Sequence, residues 1–376
     1  MIKIGIDAKW YFNGPASGKV VVENLVNHLI MIKDERIDLY LFIDQDYRDI
    51  ASGIFPEHIH IIYLRARPNL LSNLFLVPYY ARKYKLDVVL SQNFSTFLPG
   101  SFLKISYIHD FLFLDYPQYY SKTELLYYKP MAYLAKIAGH IITISNSEKE
   151  RMIKHGIGSD KKISVVYHGL NDNFKVKDAF SPEDTARVRL EFGLPDQYLL
   201  YVGRINIRKN LLNLLLSLKF VDDKSIKIVI VGEKEHKNID ITSLIEQENL
   251  QHRVIFTGHV AEKDLYVIYA NATVFCFPSY AEGFGLPPLE SMKSGIPVVV
   301  SNRTSLPEVC GEAGSYIDPD DPADIAEKIN LLINDPEFYS LKTKLSLEQA
   351  QKYQWSSAAE QIIEIIQKIY AVREIN

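Results

Sequence analysis

Short apolar runs alternate with amphipathic stretches twice along this chain, and that alternation narrows its possible folds more than any other feature. Ile2–Ile6 reads as a strand, followed by the loop Asn13-Gly14-Pro15-Ala16-Ser17-Gly18 and by helical periodicity over Val20–Ile32. Leu39–Ile43, Ile59–Leu64, Val88–Leu90, Lys104–Ile108, Ile141–Ile144 and Ser164–Tyr167 read as further strands, with helices between several of them. Phe174–Asp196 is polar, carries the helix start Ser181-Pro182-Glu183-Asp184, and reads as an interdomain linker. The alternation then resumes. Strands are expected at Tyr198–Val202, Lys227–Val231, Val254–Phe256, Val274–Phe277 and Pro297–Val300. Helices are expected at Asn210–Lys219, Ala261–Asn271, from Pro288 to Lys293, at Asp324–Asn334 and at Ser356–Tyr370.

Such alternation implies βαβ units and parallel sheets covered on both faces. A length of 376 residues favours two domains. The expected division is 1–175 and 176–355, with a C-terminal helix over 356–376 packing back on the first domain. Open parallel sheets bind ligands beyond the carboxyl ends of their strands, so a cleft between two such domains is where function is expected.

Composition excludes some classes. The net charge of −4 argues against binding nucleic acid through bulk electrostatics. The charge is uneven: residues 1–180 carry 22 Lys and Arg against 18 Asp and Glu, and the remainder carries 20 against 28. The two cysteines, Cys276 and Cys310, lack metal-ligand spacing and read as reduced thiols of a cytosolic protein. The N-terminus reads as a strand rather than a signal peptide, and no run of about 18 apolar residues reads as a membrane span.

The most specific stretch is Pro278-Ser279-Tyr280-Ala281-Glu282-Gly283-Phe284-Gly285-Leu286-Pro287-Pro288-Leu289-Glu290. Glu282 falls in a glycine-flanked loop and Glu290 at a helix start. Glycine lets backbone approach a ligand closely, and the N–H groups of Gly283, Phe284, Gly285 and Leu286 suit phosphate or sugar oxygens. Two carboxylates suit the vicinal hydroxyls of a sugar or ribose, although Glu290 alone reads equally well as a residue favouring its helix dipole. Gly203-Arg204-Ile205-Asn206-Ile207-Arg208-Lys209-Asn210 follows a strand and precedes a helix, so Arg204 and Lys209 are placed to reach a diphosphate. Alone, that stretch also reads as a solvated basic turn.

Together these stretches resemble the group 1 (GT4-like) retaining glycosyltransferases of GT-B fold, two Rossmann-like domains facing each other across a cleft. The resemblance spans essentially the whole chain. It includes Tyr201-Val202-Gly203-Arg204 with Lys209-Asn210, Phe256-Thr257-Gly258-His259-Val260, the E-x7-E spacing of Glu282 and Glu290, Gly295-Ile296-Pro297-Val298-Val299-Val300, Ser305-Leu306-Pro307-Glu308-Val309 and Val165-Val166-Tyr167-His168-Gly169. It implies an acceptor-side first domain, a donor-side second domain, a nucleotide-sugar co-substrate and no cofactor or metal. Carried over, Glu290 binds the donor's ribose, Glu282 faces the transferred sugar, Arg204 and Lys209 neutralise the diphosphate, and Val260 borders the base. His109, in Ile108-His109-Asp110, lies beside the donor sugar, where a lone histidine would otherwise read as structural. Gly18 belongs to a loop touching the donor phosphates or the acceptor, and here Pro15-Ala16-Ser17-Gly18-Lys19 replaces the family's usual glycine pair.

The expected reaction moves a hexose, mannose from GDP-mannose being favoured, to a glycan acceptor in bacterial surface-polysaccharide assembly. The alternatives are a UDP- or dTDP-sugar donor, a sugar-nucleotide epimerase or phosphorylase on the same fold, and a non-catalytic partner subunit. Asp44-Gln45-Asp46 matches the D-x-D pattern of metal-dependent transferases but lies away from the phosphate-binding turn. Between Tyr63 and Tyr133 there are 17 aromatic residues among 71, about twice the chain's average share. Arg65, Arg67, Arg82, Lys83, Lys85, Lys104, Lys122, Lys129 and Lys136 are interleaved with them. This mixture suits a peripheral contact with the inner face of the cytoplasmic membrane and a lipid-linked acceptor, or simply an aromatic core.

Overall fold

The computed structural model describes residues 1–233 and 241–375. The chain forms two compact units. Unit one is Met1–Gly169 together with Gln354–Asn376, and unit two is Leu170–Tyr353.

Unit one is built on a seven-stranded parallel sheet. Its strands are β1 (Ile2–Asp7), β2 (Ile37–Asp44), β3 (His60–Leu64), β4 (Val88–Gln92), β5 (Leu103–Ile108), β6 (His140–Thr143) and β7 (Ile163–Val165). They lie in the order β3-β2-β1-β4-β5-β6-β7. Five consecutive buried residues make up β4, as expected of a strand covered on both faces. The helix Trp355–Ile375 packs on the helix Ala16–Leu29 and so belongs to unit one. The close approach is made at Gly169, where a Cβ would lie 2.1 Å from the Trp355 backbone nitrogen. His168 stacks on the Trp355 ring at 5.5 Å.

Unit two repeats the plan with six parallel strands: β8 (Tyr198–Val202), β9 (Lys227–Val231), β10 (Val254–Gly258), β11 (Val274–Phe277), β12 (Val298–Ser301) and β13 (Gly314–Ile317). Their order is β10-β9-β8-β11-β12-β13. In both sheets the order reverses beside the first strand, between β1 and β4 and between β8 and β11. Crossovers leave in opposite directions there and open a crevice at the carboxyl edge.

Three local readings change. The helix Ala16–Leu29 starts behind Pro15 and takes in Gly18, so the expected loop is shorter. The helix Leu286–Lys293 starts before its two prolines, because proline is well suited to a first turn. Phe174–Asp196 holds the helix Pro182–Phe192, capped by the Ser181 side chain accepting the Asp184 N–H at 3.0 Å, and the crossing into unit two lies earlier, at Gly169–Leu170.

Candidate active site

The carboxyl ends of β8 and β11 carry the two stretches singled out in the sequence. Beyond β8, Asn206 accepts the Lys209 N–H at 3.1 Å and caps a single 3-10 turn, Ile207–Lys209. Asn210 follows with φ of 56°, a left-handed conformation that asparagine tolerates. Its side-chain amide donates to the carbonyls of Pro278 at 3.0 Å and Pro319 at 2.6 Å, tying this turn to the loop after β11. The Tyr280 N–H adds a backbone bond to the Arg208 carbonyl at 2.9 Å.

This stitching brings Arg208 and Lys209 onto Glu282. Lys209 Nζ lies 2.7 Å from Glu282 Oε1 and Arg208 Nη1 3.0 Å from Oε2. The Arg208 guanidinium also donates to the Ala281 carbonyl. Burial alone would raise the Glu282 carboxyl, but Arg208 and Lys209 overcome it and hold the pKa at about 2. Burial lowers the Lys209 ammonium to about 8, against the opposing pull of Glu282. Lys209 Nζ also sits 4.6 Å over the Phe277 ring. Arg204 is exposed beyond β8, and its carbonyl accepts the Tyr201 hydroxyl at 3.0 Å.

The Glu282 backbone is clamped from a third loop. Its N–H donates to Thr304 Oγ1 at 2.9 Å, and Ser305 Oγ donates to the carbonyls of Glu282 at 2.9 Å and Phe284 at 2.6 Å. Thr304 has φ of 55°, costly for a β-branched residue and the kind of strain found at functional sites.

Glu290 lies in the middle of the helix Leu286–Lys293 rather than at its start, which removes the helix-dipole interpretation. The Tyr269 hydroxyl donates to its Oε2 at 2.9 Å. Burial raises the Glu290 carboxyl to about 7, with the Tyr269 hydrogen bond opposing and the Glu262 charge adding. A carboxyl so placed, able to accept hydrogen bonds, suits a neutral diol.

The remaining expected residues of unit two fall around this edge. Gly203 directly follows β8, its N–H bonded to the Val231 carbonyl at 3.0 Å. The adjacent Gly232 has φ of 142° and leaves no space for a Cβ, which would lie 2.2 Å from the Gly203 carbonyl oxygen. Gly283 is buried in the loop before the helix, Gly285 is the helix N-cap, and Leu286 is half-buried at its first position. The Phe284 ring points inward, edge-on to Tyr353 at 5.8 Å, so only its backbone is suited to a ligand. Val260 is buried at the approach to the helix Glu262–Ala270.

In unit one, the edge between β1 and β4 holds a group that sequence reading did not single out. Lys9 is buried, with Nζ 2.5 Å from Asp7 Oδ1 and 2.5 Å from Asn73 Oδ1. The Asn73 amide donates to Asp7 Oδ2 at 3.0 Å, as does the Gln92 N–H at 3.3 Å. The Gln92 side chain accepts from His109 Nε2 at 2.9 Å, which makes Nε2 the protonated nitrogen. Burial lowers the His109 imidazole to about 4, so it is neutral near pH 7. Gly18 sits inside the helix Ala16–Leu29, where an added Cβ would meet the Trp10 ring at 3.0 Å.

Asp44 caps the turn after β2, accepting the Asp46 N–H at 3.4 Å. Among the described residues, no group of three or more His, Cys, Asp or Glu is placed to hold a metal ion. Cys276 and Cys310 are both free and buried. No described helix is long and apolar enough to cross a membrane. The aromatic segment divides. Phe94, Phe102, Tyr107, Phe111 and Phe113 are buried in unit one, whereas Tyr79 (57%) and Tyr133 (61%) lie exposed near Arg82, Lys129 and Lys136 in sequence.

Residues 182–352 match the family described as "Glycosyl transferases group 1", and residues 18–174 match "Glycosyltransferase Family 4". The chain is 29% identical over 288 residues to "O-antigen chain mannosyltransferase B" of Escherichia coli, covering 75% of this chain and 74% of that protein. It is 31% identical over 233 residues to "Serotype-specific mannosyltransferase WbdA" of Escherichia coli, covering 60% of this chain but only 28% of that longer protein. The sucrose-phosphate synthase of Thermosynechococcus elongatus superposes with a TM-score of 0.76 at 20% identity, over 99% of this chain and 100% of that one, which establishes the fold. With the E-x7-E pair and its cations at the switch point of the second sheet, these matches make the chain a member of the group 1, family 4 glycosyltransferases of GT-B fold, enzymes that move a sugar from a nucleotide-sugar donor to a glycan acceptor.

Proposed function

We propose that this protein is a retaining, metal-independent mannosyltransferase that uses GDP-mannose to extend a lipid-linked glycan in bacterial surface-polysaccharide assembly. The observation that carries the reading is the cluster of Arg208, Lys209 and Glu282 beside β8 and β11, with Glu290 further along the same loop and helix. The names of both relatives support mannose, and that of "O-antigen chain mannosyltransferase B" supports the polysaccharide.

In this mechanism Arg204 and Lys209 bind the donor diphosphate and stabilise the charge that grows on it as the bond to the sugar's anomeric carbon breaks. The acceptor hydroxyl attacks the anomeric carbon from the leaving group's side, through an oxocarbenium-like transition state. Its proton passes to the departing phosphate oxygen. Glu290 accepts the ribose hydroxyls, Glu282 faces the transferred sugar, and neutral His109 orients the sugar without adding charge. Gly18 and Gly203 let backbone approach the donor, and Val260 borders the base.

The membrane part of the reading is supported by the exposed aromatic and basic side chains of unit one. Lys and Arg near anionic lipid contribute about 1 kcal/mol each. Co-sedimentation with anionic vesicles at low salt, lost at high salt, is expected. A protein that stays in the supernatant throughout and accepts free sugars as well as lipid-linked ones would refute it.

Titration with GDP and UDP tests the base, with GDP expected to bind more tightly. Incubation of the nucleotide sugar with and without acceptor separates transfer from epimerisation. Transfer consumes donor only with acceptor, apart from slow hydrolysis.

A further inference from the structure

One of the two cations assigned to the donor, Lys209, is already engaged by an anion of the chain's own, which Arg208 also holds. Glu282 lies 2.7 Å from Lys209 Nζ and 3.0 Å from Arg208 Nη1, with only 9% of its side chain exposed. Two cations against one carboxylate leave a net positive charge, which attracts a phosphate. The carboxylate nevertheless stands where it repels one.

We propose that Glu282 is a built-in competitor for the diphosphate. It holds Lys209 until a nucleoside diphosphate takes that ammonium over, and the displaced carboxylate then turns to the hydroxyls of the transferred sugar. The inference rests on the donor reading above and adds an order of events to it.

Three features make the exchange local. The Glu282 backbone is clamped at its N–H by Thr304 and at its carbonyl by Ser305, so only side-chain torsions need to change. Arg208 is anchored on the Ala281 carbonyl and can keep one carboxylate oxygen while the other leaves Lys209. Lys209 keeps its position over the Phe277 ring as its partner changes. A buried ammonium is poorly tolerated without an anion, so one partner replaces the other with no unpaired interval.

The exchange also distinguishes the intact donor from the spent one. A nucleotide sugar displaces Glu282 and offers it new hydroxyl partners. A nucleoside diphosphate displaces it and offers nothing in return, so Glu282 tends to reclaim Lys209 and favours product release.

Isothermal titration of GDP and UDP in EDTA-containing buffer tests this on wild type, Glu282→Gln, Glu282→Asp and Lys209→Ala. The amide keeps the shape but removes the competing charge, so Glu282→Gln should bind the better diphosphate about tenfold more tightly while transferring sugar far more slowly. Glu282→Asp, which withdraws the charge by one methylene, should fall between it and wild type, and decides the matter if the amide variant does not fold. Equal or weaker diphosphate binding in the folded variants overturns the proposal and makes Glu282 an organiser of Lys209 instead. If wild type binds neither nucleotide, or Lys209→Ala binds like wild type, the donor reading itself has failed, a result visible without any Glu282 variant.

Discussion

The two sheets share a strand plan and differ in what stands at their switch points. At the β1–β4 point the charge is closed on itself. Lys9 is buried against Asp7 and Asn73, and His109 is held neutral. At the β8–β11 point one carboxylate faces two cations, and a second carboxyl, Glu290, titrates near neutrality at about 7. Topology determines where a ligand can enter each unit, and the charge of the loops determines what is welcome there. The second point suits an anion, and the first an uncharged group.

The sharpest way to break this contrast is to remove a cation from the second point. Lys209→Ala and Arg204→Ala should each slow transfer by about 10- to 100-fold, since a charge-assisted hydrogen bond is worth roughly 1.5–3 kcal/mol. Wild-type rates at saturating acceptor would place the diphosphate elsewhere. At the first point, His109→Gln should cost less, roughly tenfold, because it removes orientation and no charge.

The pH profile sharpens the comparison further. The apparent kcat/KM should rise as Glu290 ionises near 7 and fall as Lys209 loses its proton near 8, giving a narrow bell. With its pKa at about 4, His109 should add no limb between pH 5 and 9. Glu290→Gln should flatten the acid limb. An acid limb that survives in that variant and disappears in His109→Gln would reverse the electrical roles of the two points.

Acid stability is a smaller effect. The Glu282 pKa is lowered from 4.5 to about 2, so between these values the unfolded chain binds more protons than the folded one. Stability from this pair is complete above pH 4.5 and lost as pH falls towards 2. Glu282→Gln should therefore lose less stability than wild type over that window in equilibrium denaturation. Smallest of all, EDTA should leave transfer unchanged. Loss of turnover restored by Mn2+ would give diphosphate neutralisation to a metal, with Asp44 and Asp46 as the first residues to examine.

Much of this architecture was legible in the sequence because parallel strands covered on both faces are nearly continuous apolar runs. β13 was not, since Gly314-Ser315-Tyr316-Ile317 is short and weakly strand-forming and depends on pairing with β12. Glu282 and Glu290 stood out by spacing and by neighbouring glycines, and Arg204 and Lys209 by their place between a strand and a helix and by the family resemblance. Arg208, in the same turn, did not. What selects it is the Asn206 cap and the left-handed Asn210, which aim the turn at the next loop. Thr304 and Asn73 carry no local pattern, since Thr304 meets Glu282 from 22 residues away and Asn73 meets Lys9 and Asp7 from 64 and 66.

The helix Trp355–Ile375 has a consequence for how the protein is made. Unit one begins before unit two, yet one of its packed helices is synthesised only after the whole of unit two. Leu170 and Tyr353, at the two ends of unit two, are joined by a backbone hydrogen bond of 3.2 Å, so that unit can close as a contiguous segment on the ribosome. Of the two units, the one begun earlier is finished later. Until Trp355–Ile375 is made, the helix Ala16–Leu29 lacks the partner it packs against, and surface left open in a partly folded chain is what chaperones cover and aggregation exploits.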